Sequence, residues 1–143
     1  MNKPIYVLNG PNLNRLGKRE PEIYGATTLA EVEALCRVEA EDQAIEFRQT
    51  NSEAQMIDWI HEAIDTGSGI IINPAAFSFT SMAIMDALKM FPGPIIEVHI
   101  SNPARRGTVS EVASTCLGTV TGFGIAGYAL ALRGLRDRAK ARD

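Results

Sequence analysis

The chain has 143 residues, of which 45% are apolar and 22% charged, with a net charge of −3. That is the size of one ordinary domain, spanning residues 1–143, with enough core to stand without disulfide or metal staples. The acidic balance excludes the basic footprint of a nucleic-acid binder, and no apolar run approaches the ~20 residues that span a bilayer. Met1-Asn2-Lys3-Pro4 leads straight into a short apolar stretch without the pattern of a signal peptide, so the cytoplasm is the expected compartment. Cys36 and Cys116 sit in apolar surroundings and read as buried thiols rather than a bridge. His61 and His99 are the only histidines, too few for a zinc pattern.

Strand and helix patterns alternate, with no repeat and no linker. Pro4 to Asn9 reads as a buried strand. Gly10 to Ala26 is a polar loop, long enough to suggest function. Thr28 to Glu31 forms a capping box opening a helix, along which Leu29, Val32, Leu35, Cys36 and Val38 recur at helical spacing. Ile45 to Thr50 is a second strand. Ser52 to Gln55 is a second capping box, followed by a stripe of Met56, Ile57, Ile60, Ala63 and Ile64 that ends at Gly67 and Gly69. Gly69 to Asn73 is apolar on both faces, as central parallel strands are. Thr80 or Ser81 caps a third helix expected to reach Phe91. Pro94 to Ile100 is the fourth strand, Leu117 to Thr121 the fifth, and Gly127 to about Ala139 a closing helix, basic near its end.

Five strands alternating with helices imply a parallel sheet covered on both faces. The expected fold is a flavodoxin-like three-layer α/β sandwich with strand order 2-1-3-4-5.

Ligands of such sheets bind beyond the carboxyl ends of the strands. Here those ends run into Asn9 and Asn12, Asn51, Asn73, and His99 with Ser101 and Asn102. Singly, such residues are ordinary turn formers; together they point to a small polar ligand. His99 ends a buried strand and reads either as a hydrogen-bonded core residue or as a catalyst at the rim. His61, between helical core positions, reads as structural or surface. Arg19 and Tyr24 share the long first loop. Only ~0.1% of an ordinary phenol is ionised at pH 7, and a nearby arginine favours the anion, so the pair could supply a base. Gly122 to Gly127 matches GxGxxG, but no strand with an acidic residue follows it, so a tight turn and close helix packing explain it better than a dinucleotide.

The run Leu8-Asn9-Gly10-Pro11-Asn12-Leu13-Asn14-Arg15-Leu16-Gly17-Lys18-Arg19-Glu20-Pro21-Glu22-Ile23-Tyr24-Gly25 resembles the opening signature of type II 3-dehydroquinate dehydratases. The likeness continues through Asp58 to Ala63, Ile72 to Ala76 and Ile96 to Asn102, and more weakly from Gly122 to Leu132. It implies a lyase without cofactor or metal that converts 3-dehydroquinate to 3-dehydroshikimate. By motif position, Tyr24 would be the base and Arg19 its activator on a closing lid. Asn12 would hold a water against the enolate, and His99 would protonate the departing hydroxyl. Asn73, Asp86, Ile100 and Ser101 match substrate-lining positions, and Arg106, which follows Arg105, falls at the position of the family's first arginine after the Ser-Asn turn. The resemblance also implies trimers packed into a dodecamer.

Two positions depart from the pattern. Phe79 stands where the family usually has a histidine that bonds the substrate. The segment after Arg106 is shortened and lacks a second arginine, with no Arg or Lys from Gly107 to Leu132. A lost charge-assisted hydrogen bond costs about 1.5–3 kcal/mol. The expectation is therefore a dehydratase with weakened substrate grip. The alternative is a weak or altered-substrate paralogue that binds a related metabolite or co-assembles with a true dehydroquinase.

Overall fold

The computed structural model describes residues 3–18 and 20–142, without the side chains of Ile23, Tyr24 and Arg142. Arg19 thus lies outside the described residues. Five strands form one sheet: β1 (Ile5–Asn9), β2 (Ile45–Gln49), β3 (Gly69–Asn73), β4 (Ile95–His99) and β5 (Gly118–Thr121). All pair in parallel, in the expected order β2-β1-β3-β4-β5. The helices are α1 (Pro21–Tyr24), α2 (Leu29–Ala40), α3 (Glu53–Thr66), α4 (Met82–Leu88) and α5 (Ala126–Arg142).

Side chains alternate across a strand, and here each parity meets its own helix layer. Val7, Ile71 and Val98 join Val32 and Cys36 of α2 and Tyr128, Ala131 and Leu132 of α5 in one cluster. Leu8, Ile70, Ile72 and Ile95 join Met56 and Ile60 of α3 and Ile84 and Leu88 of α4 in the other. The three-layer sandwich follows from these two apolar faces.

Local signals set the helix boundaries. At Thr28 the capping box is complete: Glu31 N–H donates to Thr28 Oγ1 at 3.3 Å, and Thr28 N–H to Glu31 Oε1 at 3.4 Å. The second box forms only half. Gln55 N–H donates to Ser52 Oγ, but the Gln55 side chain accepts from Thr50 Oγ1 at 2.5 Å instead of reaching back. Ser52 N–H turns to Thr50 Oγ1 as well, so the end of β2 and the start of α3 share one hydroxyl. Ser81, rather than Thr80, caps α4 by accepting from Ile84 N–H at 3.0 Å. The third helix ends at Leu88, short of the expected Phe91. Pro92 disfavours helical backbone at Phe91, whose buried ring still joins the core. The long first loop is not irregular throughout, since it holds a 3-10 turn at Leu13–Arg15 and the single turn of α1.

One side chain ties the strand ends together. Asn9 and Asn73 are register partners on the adjacent strands β1 and β3, where the strand order changes direction. Tyr128 of α5, fully buried, donates its hydroxyl to Asn9 Oδ1 at 2.7 Å and accepts from Asn73 Nδ2 at 2.9 Å. Asn9 Nδ2 donates in turn to Arg48 O on β2, and Asn73 Oδ1 receives Ala75 N–H. Burial pushes the Tyr128 pKa above the ordinary phenol value, so the hydroxyl stays a donor across the working pH range. Tyr128→Phe removes that hydroxyl and strands two buried amide groups. It should cost about 1–3 kcal/mol in urea unfolding, with the midpoint lowered and the slope unchanged. An unchanged midpoint would mean the bonds are not structural.

Candidate active site

At the carboxyl ends of β1, β3 and β4 lies a cavity of about 250 Å³. Asn12, Asn73, His99, Ile100, Ser101 and Arg106 line it, together with Phe79 and the apolar side chains of Leu13 and Leu16. Six of the sequence-based site residues thus converge on one space. Asp86 does not: it is exposed on α4 and is not among the residues lining that cavity. Arg19 and the Tyr24 side chain lie outside the described residues, although α1, which carries Tyr24, follows the cavity-lining turn closely in sequence.

Backbone geometry shapes the floor. Gly10 N–H donates to Asn73 O at 2.8 Å, and a Cβ at Gly10 would collide with the carbonyl of Pro74. Only glycine lets the loops after β1 and β3 approach so closely. Asn12 (φ 72°) and Ala75 (φ 50°) both adopt left-handed backbone, and both line the cavity. Asn12 is held by its backbone, through N–H to Asn51 Oδ1 at 2.9 Å. Gln49 Nε2 steadies the same Asn51 oxygen at 3.1 Å. The side-chain amide of Asn12 makes no hydrogen bond with another described residue, which leaves it available to a ligand or water. Asn73 has one amide hydrogen left after bonding Tyr128.

On the other wall, Asn102 caps a short turn at Pro103–Arg106 by accepting from Ala104 N–H at 3.2 Å. The turn brings Arg106 back over the strand end, where Nη1 donates to Ser101 Oγ at 3.0 Å. Arg106 is the one cation lining the cavity among the described residues. Phe79, 38% exposed, presents a ring that can accept no hydrogen bond from a ligand hydroxyl in its plane.

His99 is fixed from behind. Ile95, Glu97 and His99 share one face of β4, and Nε2 of His99 lies 2.8 Å from Glu97 Oε2. Glu97 is 1% exposed and also accepts from Ser110 Oγ at 2.5 Å. The sequence reading passed over Glu97, Ser110 and Tyr128. Glu97 did leave a signal: a carboxylate inside an apolar strand needs a partner, and alternation points to His99 two residues on. Ser110 left none, because its reach depends on how the following segment folds back.

Other sequence candidates take structural roles. In the glycine motif, Gly122 and Gly124 N–H groups donate to His99 O and Ile100 O, and Gly127 packs against Val98 and Val120. These groups brace the strand end. Cys36 is buried and Cys116 half-buried; neither is in a bridge, and burial pushes both thiols up to about 12. His61 is exposed on α3. Among the described residues, no three His, Cys, Asp or Glu side chains gather as metal ligands.

The family model for class II dehydroquinase matches residues 3–136. A 3-dehydroquinate dehydratase of Hyphomonas neptunium is 51% identical over 147 aligned positions, covering 100% of both chains. The 3-dehydroquinate dehydratase 2 of Agrobacterium fabrum is 54% identical, covering 90% of this chain and 91% of its own. Among solved structures, the type II dehydroquinase from Propionibacterium acnes superposes with a TM-score of 0.89 at 47% identity, covering 96% of this chain and 98% of its own. Motif, fold and full-length likeness agree, and the chain belongs to the class II dehydroquinase family.

Proposed function

We propose that this chain is a hydro-lyase that dehydrates 3-dehydroquinate to 3-dehydroshikimate. The observation that carries the reading is the convergence of His99, Asn12, Asn73, Ser101 and Arg106 on one cavity, in a chain of this family. Tyr24 takes the proton beside the ketone, and Arg19 favours its phenolate. The resulting enolate is stabilised by a water on the unengaged Asn12 amide. His99 then gives a proton to the departing hydroxyl, which leaves as water. Asn73, Ile100, Ser101 and Arg106 hold the substrate, Arg106 as the partner of its carboxylate. The segment bearing Arg19 and Tyr24 acts as a lid that excludes bulk water.

The family's trimer-based dodecamer is the proposed assembly. Its support here is an exposed face on and beside α4 that carries Met82, 73% exposed, and Asp86. A neighbouring copy is the route by which Asp86 would meet a cavity. Among the described residues no helix is long and apolar enough to cross a membrane, and the cytoplasm is the proposed compartment.

The decisive test mixes purified protein with 3-dehydroquinate and follows the conjugated enone of the product by ultraviolet absorbance. Wild type should turn over, and Tyr24→Phe should lower kcat by at least about 100-fold while substrate still binds. A folded wild type inert at high substrate would overturn the reading.

Phe79 sets a second expectation. Phe79→His places a hydrogen-bonding ring in the cavity wall and should lower KM about 10-fold, with kcat changed less. An unchanged KM would mean that this wall does not touch the substrate's polar groups.

A further inference from the structure

Glu97 Oε2 receives two partners, His99 Nε2 at 2.8 Å and the Ser110 hydroxyl at 2.5 Å. Because Ser110 donates, that oxygen acts as an acceptor, and Nε2 of the histidine is its second donor. Nδ1 is then the ring nitrogen left for a ligand. A carboxyl group turns freely about its last torsion. One bond to the imidazole would let the two side chains move together, whereas a second bond from a different segment fixes both.

That segment, Gly107 to Glu111, has no regular structure and is held at defined points. Glu111 N–H donates to Ser78 O at 2.8 Å, and Thr108 Oγ1 to Pro103 O at 2.9 Å. Ser78 is buried and precedes Phe79 of the cavity wall. Ser110 therefore arrives from a strap tied to two walls of the site. It does not line the cavity itself.

We propose that Ser110 is a positioning residue of the dehydration, whose hydroxyl pins Glu97 and thereby holds His99 in one orientation, with Nε2–H on the carboxylate and Nδ1, which carries the transferred proton in the imidazolium acid form, toward the departing hydroxyl. The proposal rests on the dehydratase reading above. Acting through Glu97, Ser110 affects the chemical step and not substrate capture. Threonine keeps the hydroxyl; alanine removes it.

The test compares wild type, Ser110→Ala and Ser110→Thr as purified full-length chains. Steady-state turnover of 3-dehydroquinate should show kcat about 10-fold lower in Ser110→Ala, KM unchanged, and most of the loss recovered in Ser110→Thr. Thermal melting checks that all three fold. In parallel, ¹⁵N-labelled histidine reports the ring directly, with exposed His61 the only other signal. Wild type and Ser110→Thr should show a protected Nε2–H proton on His99, and Ser110→Ala should lose it. The proposal is overturned if Ser110→Ala keeps its kcat, if KM and melting temperature fall away instead, or if threonine fails to rescue. It is equally overturned if the His99 proton is indifferent to the substitution. Turnover absent even in wild type would count against the dehydratase reading alone, and the nuclear resonance arm would still decide the role of Ser110.

Discussion

Two carboxamides side by side at the centre of a sheet are an awkward thing to bury. Asn9 and Asn73 end neighbouring strands at the point where the sheet's connections part to either side, and both are buried. Everything at the rim depends on the phenol of Tyr128 satisfying both. Its hydroxyl donates to one amide and accepts from the other, so the two strand ends are locked at a common height. The loops leaving them then start from fixed points, and Gly10 allows those loops to touch. Polar networks inside a core rigidify it when every member is satisfied, and here the rigidity is delivered where the ligand groups stand.

The acid side of the cavity uses the same means on the opposite face of the sheet. Tyr128 comes from α5, packed with α2, whereas Glu97 and His99 share the parity of Ile95, whose cluster belongs to α3 and α4. Each face of the sheet thus holds one buried polar anchor behind the rim. The cavity itself can stay sparsely furnished, with a single lining cation among the described residues and several apolar walls.

Much of this was legible in the amino-acid sequence because it obeys local rules. The all-apolar run of β3, the cap at Thr28 and a cap at Thr80 or Ser81 follow from period and cap chemistry, and the asparagines stand at the strand ends which those periods mark. What escaped depended on distance in the chain. Gln55 has the right spacing to complete a capping box, yet Thr50 captures it, because the end of β2 and the start of α3 meet in space. Ser110 and Tyr128 find partners 13 and 119 residues away. Asp86 matches a pocket position in sequence but faces solvent on α4, since one chain alone does not bring that face to its own cavity.

Ala75 carries a consequence for how this loop can change over evolution. At φ 50° its backbone occupies a region where any side chain with a Cβ is strained by roughly 1–2 kcal/mol. Bulky or β-branched residues would deepen the strain, and glycine would relieve it while loosening the loop. Drift at this position therefore runs along a narrow track of small residues, whatever ligand fills the cavity. A change of substrate preference has to be written elsewhere on the wall, and the neighbouring aromatic at position 79, unconstrained in this way, is where the fold leaves room for it.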